Sequence, residues 1–417
     1  MKTKDYMNQP LHKWLKIAII NLNIIAFIGV VLRYKIVFSL PFIDQKHLLH
    51  AHSHFAFAGW LTQILMTLLV VFLYRNGLND SFKKYSWLLL GNVLTAYGML
   101  ITFPVEGYGF LSITFSTLSI FVSYVFAIVF WKDLNKLNSK SSSIYWFKAG
   151  VVFNALSSIG AFSLAYMMAT HYIHQNYYLS SEYFFLHFQY NGWFFFACMG
   201  LLIDKLEKYQ IFSHIYKTIF SLFFLACIPA YFLSALWMSL PTWIYILVVI
   251  SALAQFLGWF LLVKVMFQHL DVLNNLTSVF SRVLYSVAAF AISIKLLLQI
   301  GSTYPPLSDM AFGFRPIVIG YLHLVLLGAI TMFILGYIVA NGFVSLEIIS
   351  IIGLSVFVFG VIINEILLMS QGVSGLKYES VPYINEFLLG SAIVMFTGIF
   401  MFVTGQFKNK IELENIV

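Results

Sequence analysis

The stretch His47-Leu-Leu-His50-Ala-His52-Ser-His54-Phe55-Ala-Phe-Ala-Gly59-Trp-Leu-Thr-Gln-Ile-Leu-Met-Thr-Leu-Leu-Val-Val-Phe-Leu73 decides the fold. From Phe55 onward it is uncharged, and it is long enough to cross a bilayer, which takes about 20 largely apolar residues. Imidazoles gathered where such a helix begins pack poorly but hold a metal or a haem iron well, so the same stretch carries the first functional clue.

The rest of the chain repeats the apolar pattern. Of its 417 residues 61% are hydrophobic and only 10% charged, whereas soluble chains carry about 25% charged residues. Twelve apolar stretches can be drawn: 14–34, 50–74, 85–104, 110–131, 144–169, 182–203, 214–236, 242–266, 279–300, 314–340, 344–369 and 382–406. The expectation is an all-α, polytopic membrane helical bundle of about 12 transmembrane helices, forming a single integral-membrane domain over residues 1–417. Linkers are short, and no internal repeat is evident by eye.

Basic residues orient the bundle. With the N-terminus inside, eighteen Lys and Arg fall on the inner side, from Lys2 and Lys4 through Lys140 to Lys408 and Lys410. Five fall outside, namely Arg33, Lys35, Lys46, Arg315 and Lys377, and Lys295 lies within a span. This bias predicts that both termini are cytoplasmic, so the net charge of +8 is a topology signal and no nucleic-acid partner is expected. Lys295 is expected to snorkel or to pair with a carboxylate.

The first span is too long for a cleavable signal peptide and lacks a small-residue cleavage site. Cys198 and Cys227 fall within spans and are expected to pack as small apolar residues. The sequence contains no Cys-x-x-Cys-His, so covalently attached haem is not expected.

Three spans place histidine in the outer half of the membrane. His50, His52 and His54 begin the second. His187 lies about five residues into the sixth, within His187-Phe-Gln-Tyr190-Asn191. His323 follows Arg315 by eight residues in the tenth, roughly 12 Å deeper at about 1.5 Å per residue. At about 100° per residue His50 and His54 share a helical face and His52 points nearly opposite, so a regular helix cannot direct all three at one ion. Which of the three is a ligand stays open. Arg315, followed by Pro316, is suited to a haem propionate. His171 and His174 are expected in solvent. Glu106, Glu365 and Glu386, with Tyr190 and Asn191, are candidates for a proton or quinol path, or, for the carboxylates, for helix-end groups in water.

Twelve helices with histidines at the outer ends of the second, sixth and tenth resemble the catalytic subunit of haem-copper oxidases and the related nitric oxide reductases. The segment His50-Ala-His52-Ser-His54-Phe-Ala-Phe-Ala-Gly59 is similar to the second helix of cbb-type oxidases, and on that alignment His50 is the low-spin haem ligand. It also resembles the His-x-His-Glu-Met motif of the NnrS family of haem- and copper-containing membrane proteins, to which the run from His323 to Met332 is similar. The resemblance implies a b-type haem held by the second and tenth helices and a copper or other metal at His187. It further implies a bacterial cytoplasmic (inner) membrane location, an electron donor that is a quinol or a periplasmic cytochrome, and further membrane subunits.

The sequence departs from the oxidase pattern in three places. The seventh span has no histidine pair, the tenth has only His323, and Tyr190 follows His187 by three residues rather than four. The expectation is therefore a haem protein with a reduced set of metal sites, acting in electron transfer or on oxygen or nitric oxide. Its alternatives are an NnrS-like response protein or sensor without turnover and a twelve-helix proton-coupled transporter. A membrane di-metal oxygenase is disfavoured, because its histidine boxes belong on the cytoplasmic side.

Overall fold

In lipid every backbone amide and carbonyl must be bonded within the protein, which leaves the helix as the natural state for such apolar runs. The structure, a computed structural model, describes residues 2–138, 141–172, 174–312, 314–376 and 379–414, and side chains within them other than at 2–9, 309–312 and 408–414. Lys140 and Lys377, used above in the charge count, lie outside the described residues, as do the side chains of Lys2, Lys4, Lys408 and Lys410. Among the described residues there is no strand.

The long helices are α1 (Lys2–Val37), α2 (Gln45–Arg75), α3 (Ser81–Glu106), α4 (Phe110–Leu134), α5 (Ser143–Ala169) and α6, which runs over 175–208. They continue as α7 (Ile215–Cys227, bent by 46° into Pro229–Ala235), α8 (Thr242–Gln268), α9 (Val279–Gly301), α10 (Arg315–Ala340), α11 (Ile348–Leu376) and α12 (Ile384–Glu414). Two short helices, Leu270–Leu276 and Pro305–Phe312, lie in connections.

Among the described residues ten helices are long and apolar enough to cross a membrane, or eleven if the bent α7 is one span. The chain is thus a helical, multi-pass membrane protein. The helix left out is α6, whose apolar run is interrupted by His187, Gln189 and Asn191. Large apolar side chains such as Val105, Phe110, Leu225 and Ile348 are exposed, which suits contact with lipid rather than water.

Helix ends follow local chemistry. Asp44 caps α2 by accepting from the His47 amide at 2.8 Å, and Ser278 caps α9 through the Ser281 amide. Gly107 ends α3 at φ +60°, and a side chain there would meet the His47 ring, with Nε2 at 2.5 Å.

The chain divides into two compact units, Met1–Leu137 with Ile338–Ser374 and Tyr378–Val417, and Asn138–Tyr337 with Gly375–Lys377. The first holds α1 to α4, α11 and α12. There α1 and α2 pack through Ile28, Leu32 and Leu48. Helices α11 and α12 approach so closely that a Cβ on Gly353 would lie 2.6 Å from the Phe402 amide nitrogen, and one on Gly398 2.5 Å from that of Phe357. Small residues permit such backbone contact between membrane helices. Buried Asp133 is paired with Lys84 and Lys136 and accepts from Tyr85. Arg75 donates to Asn341 at 3.0 Å and lies over Phe343. The second unit holds α5 to α9 and nearly all of α10, around an aromatic core that includes Trp146, Phe153, Phe196, Phe223 and Trp259.

Candidate functional site: three histidine-led π turns

Each candidate histidine helix is distorted at its histidine. In α2 a π-helical stretch, Ala56–Thr62, begins two residues after His54. In α6 the stretch Phe188–Phe194 begins directly after His187, and in α10 Leu324–Thr331 begins directly after His323. Such turns are rare and concentrate at functional sites.

A sequence signature goes with them. His54-Phe-Ala-Phe-Ala-Gly59, His187-Phe-Gln-Tyr-Asn-Gly192 and His323-Leu-Val-Leu-Leu-Gly328 share histidine with glycine five residues on, at intervals of 133 and 136 residues. The helices involved are four apart. Every bulge packs on the helix immediately before its own, α1, α5 and α9 respectively. A Cβ on Gly192 would lie 2.6 Å from the Phe153 Cβ, and one on Gly328 3.3 Å from that of Ala291. A repeat is therefore present that was not evident by eye, because its mark is a two-residue pattern spread over four helices.

A π turn breaks the regular ladder and frees carbonyls, which then need other donors. In α2 the Gly59 carbonyl accepts from Asn21 Nδ2 at 2.6 Å and the Ala58 carbonyl from Asn92 Nδ2 at 3.0 Å. At the position in α6 matching Ala58, the Asn191 carbonyl accepts from the Cys227 thiol at 3.9 Å.

In the first unit His50 and His54 share a face of α2. The His50 ring packs against Tyr108 with centroids 4.5 Å apart, and the His54 ring stacks on Phe103 at 4.4 Å. His54 Nε2 lies 3.4 Å from the Tyr108 hydroxyl. His50 Nε2 is buried and without a hydrogen bond. His52 points instead towards α1, beside Gly29. Tyr108 and Phe103 were not singled out in the sequence, since aromatics are common throughout the spans.

The three candidate carboxylates, also in this unit, have separate settings, and no hydrogen bond joins them among the described residues. Glu106 accepts from the Ser112 amide at 2.5 Å and so caps α4. Glu386 is exposed in the first turn of α12, where the helix dipole favours it. Glu365 is partly buried, receives a long 3.4 Å bond from Asn364, and keeps its other oxygen buried without a partner.

In the second unit His187 is 1% exposed. Its Nε2–H donates to the Cys227 carbonyl at 2.8 Å, and its Nδ1 accepts from Asn191 Nδ2 at 3.1 Å. Both ring nitrogens are therefore engaged, the imidazole is neutral, and no lone pair is left for a metal. The Tyr190 hydroxyl bonds with Ser234 and Tyr321. The His323 Nδ1–H donates to the Ile319 carbonyl at 2.8 Å, which makes Nε2 the lone-pair nitrogen, the arrangement usual behind metal-bound imidazole. Arg315 is exposed at the start of α10.

Lys295 neither snorkels nor pairs with a carboxylate. It is 8% exposed, belongs to no ion pair among the described residues, and lines a small cavity with Tyr190 and Asn191. Burial on α9 is the reason, since the bulge of α10 packs across that helix. Cys198 and Cys227 are buried and unpaired, as small apolar packing requires. His171 and His174 are exposed.

No group of three or more metal-ligating side chains occurs among the described residues. No family model and no curated protein matches this chain.

Proposed function

We propose that this chain is a haem-binding, redox-active membrane protein built on the plan of the haem-copper oxidase catalytic subunit, acting in electron transfer or on oxygen or nitric oxide. The observation that carries this reading is the histidine that opens a π turn in α2, α6 and α10, with glycine five residues on in each. Non-ideal helix is costly, and its recurrence at one residue type on every fourth helix points to a function for those histidines.

Haem ligation fits two side chains by separate local criteria. His50 Nε2 is buried without a bond, and His323 has its Nδ1–H held by a carbonyl. Arg315 is the propionate partner in this reading. A bound b-type haem supplies one-electron redox chemistry, while the chain's part is to ligate it, fix the imidazoles and exclude water. Copper at His187 does not fit, since both ring nitrogens are already bonded.

The finer topology belongs to the same proposal: twelve spans, both termini cytoplasmic, in a bacterial cytoplasmic membrane, with electrons from a quinol or periplasmic cytochrome and with further membrane subunits. The basic-residue bias supports the spans and the sides of the termini, and the location, electron donor and subunits rest on the resemblance.

The test is an oxidised and a dithionite-reduced absorption spectrum of the detergent-purified protein, with pyridine haemochrome and metal analysis. A b-type α-band is expected, with stoichiometric iron and no copper. The His323→Ala variant should lose or shift the band, and single substitutions at His50, His52 and His54 identify the ligand on α2. A colourless, iron-free protein from haem-replete cells would sink the reading and leave the transporter alternative.

A further inference from the structure

The second unit holds a buried lysine, Lys295, that belongs to no ion pair among the described residues. Lys295 lies on α9 and lines a cavity of about 20 Å³, with Tyr190 and Asn191 as its other polar walls and Phe195, Phe223 and Ile292 among the apolar ones. That is room for a single water or an ion of similar size. An ionisable residue at membrane depth is expensive and marks a functional site by default, with a partner to be named.

The charged and titratable surroundings limit what the partner can be. None of the residues lining the cavity is a carboxylate. His187, an imidazole in electrostatic contact with Lys295, is neutral by its two hydrogen bonds. Cys227, the other electrostatic neighbour, has its thiol turned to the Asn191 carbonyl. The Tyr190 hydroxyl oxygen is bonded to Ser234 and Tyr321. The polar walls that remain are the Lys295 amine and the Asn191 carboxamide, one of whose N–H groups goes to His187. A small pocket walled by a lysine and a carboxamide, with no carboxylate in its lining, is complementary to a small anion.

We propose that the cavity at Lys295 binds one halide-sized monovalent anion, held by the Lys295 ammonium and the Asn191 amide. The bound anion supplies the charge that the protein omits. Haem binding is not required for this, so the proposal stands or falls independently of the redox reading.

The experiment measures equilibrium binding of radiolabelled chloride to the full-length protein in detergent, with bromide as competitor, alongside thermal unfolding in chloride and in gluconate at constant ionic strength. Wild type is expected to bind one chloride per chain saturably and displaceably, and to unfold at a midpoint that rises with chloride concentration. Lys295→Met should weaken binding at least tenfold and remove the chloride dependence of unfolding. Lys295→Arg, which keeps the charge, should retain binding within a few fold. Should the methionine variant fail to fold, the wild-type isotherm and the arginine variant still decide. Absence of saturable chloride binding to wild type would overturn the proposal and make Lys295 a neutral buried amine, as would Lys295→Met binding as tightly as wild type.

Discussion

Asn21 supports the α2 bulge from the neighbouring helix. It is fully buried, gives its Nδ2 to the Gly59 carbonyl and receives the Tyr97 hydroxyl on Oδ1 at 2.8 Å. Replacing it by alanine strips a buried carbonyl of its donor and a half-buried hydroxyl of its acceptor. Interhelical side-chain bonds in membranes average about 0.6 kcal/mol, but a buried group left bare costs about 1–3 kcal/mol, so Asn21→Ala should destabilise the protein by about 1–3 kcal/mol. Unfolding of the variant in mixed detergent micelles measures this, and a loss under about 0.5 kcal/mol would show that the bulge does not need the bond. Little of this was legible in the sequence. An asparagine in a span announces a polar partner but not which one, because the acceptor is a main-chain oxygen exposed by a helix distortion. The histidine faces were more readable: His50 and His54 on one side of α2 with His52 turned away follow from the helical period alone. The engagement of both His187 nitrogens was not readable, since one partner is the carbonyl of Cys227, 40 residues away.

Among the elements, α2 gathers the most consequence, and its first turn rests on an exposed cap. The His47 amide that donates to Asp44 holds that carboxyl below its usual range. A carboxyl whose folded pKa is depressed contributes stability above its unfolded pKa, about 3.9, and loses it as pH falls through the folded value. The start of α2 should therefore hold unchanged at neutral pH and fray only in acid below the ordinary aspartate range. Hydrogen exchange at the His47 amide reads the effect: protection should fall on acidification in wild type, and be low at every pH in Asp44→Ala. Equal protection in both proteins would remove the cap from the account. Asp44, immediately before an apolar helix, was available to sequence reasoning as an N-cap. The π turns were not, because a period of 3.6 and a local insertion of one residue leave nearly the same apolar pattern. Only the repeated histidine and glycine betray them. Lys295 escaped for a related reason, since a lysine near a helix end snorkels by default and its burial depends on what packs across it.

For the whole molecule, the deciding element is α6. Composition leaves it outside the ten helices that qualify as spans among the described residues, whereas the charge bias predicts that it crosses. The physical objection to a polar helix in lipid is unsatisfied hydrogen bonding, and α6 answers it internally. Gln189 donates to Asn154 and Ser157 at 2.9 and 2.8 Å, and His187 is bonded at both nitrogens. With those groups paired within its own unit, the desolvation cost that its composition implies is largely offset, and α6 is expected to traverse the bilayer. Cysteine placed at Tyr172, exposed before α6, and at Phe212, exposed after it, tests this, since Cys198 and Cys227 are buried. Tyr172→Cys should react with a membrane-impermeant maleimide added to intact cells, and Phe212→Cys only after the membrane is opened. Labelling of both from one side would mean that α6 does not cross. Every helix after it would then reverse its direction, the inner excess of basic residues would no longer hold along the chain, and His323 in α10 would fall in the inner half of the membrane.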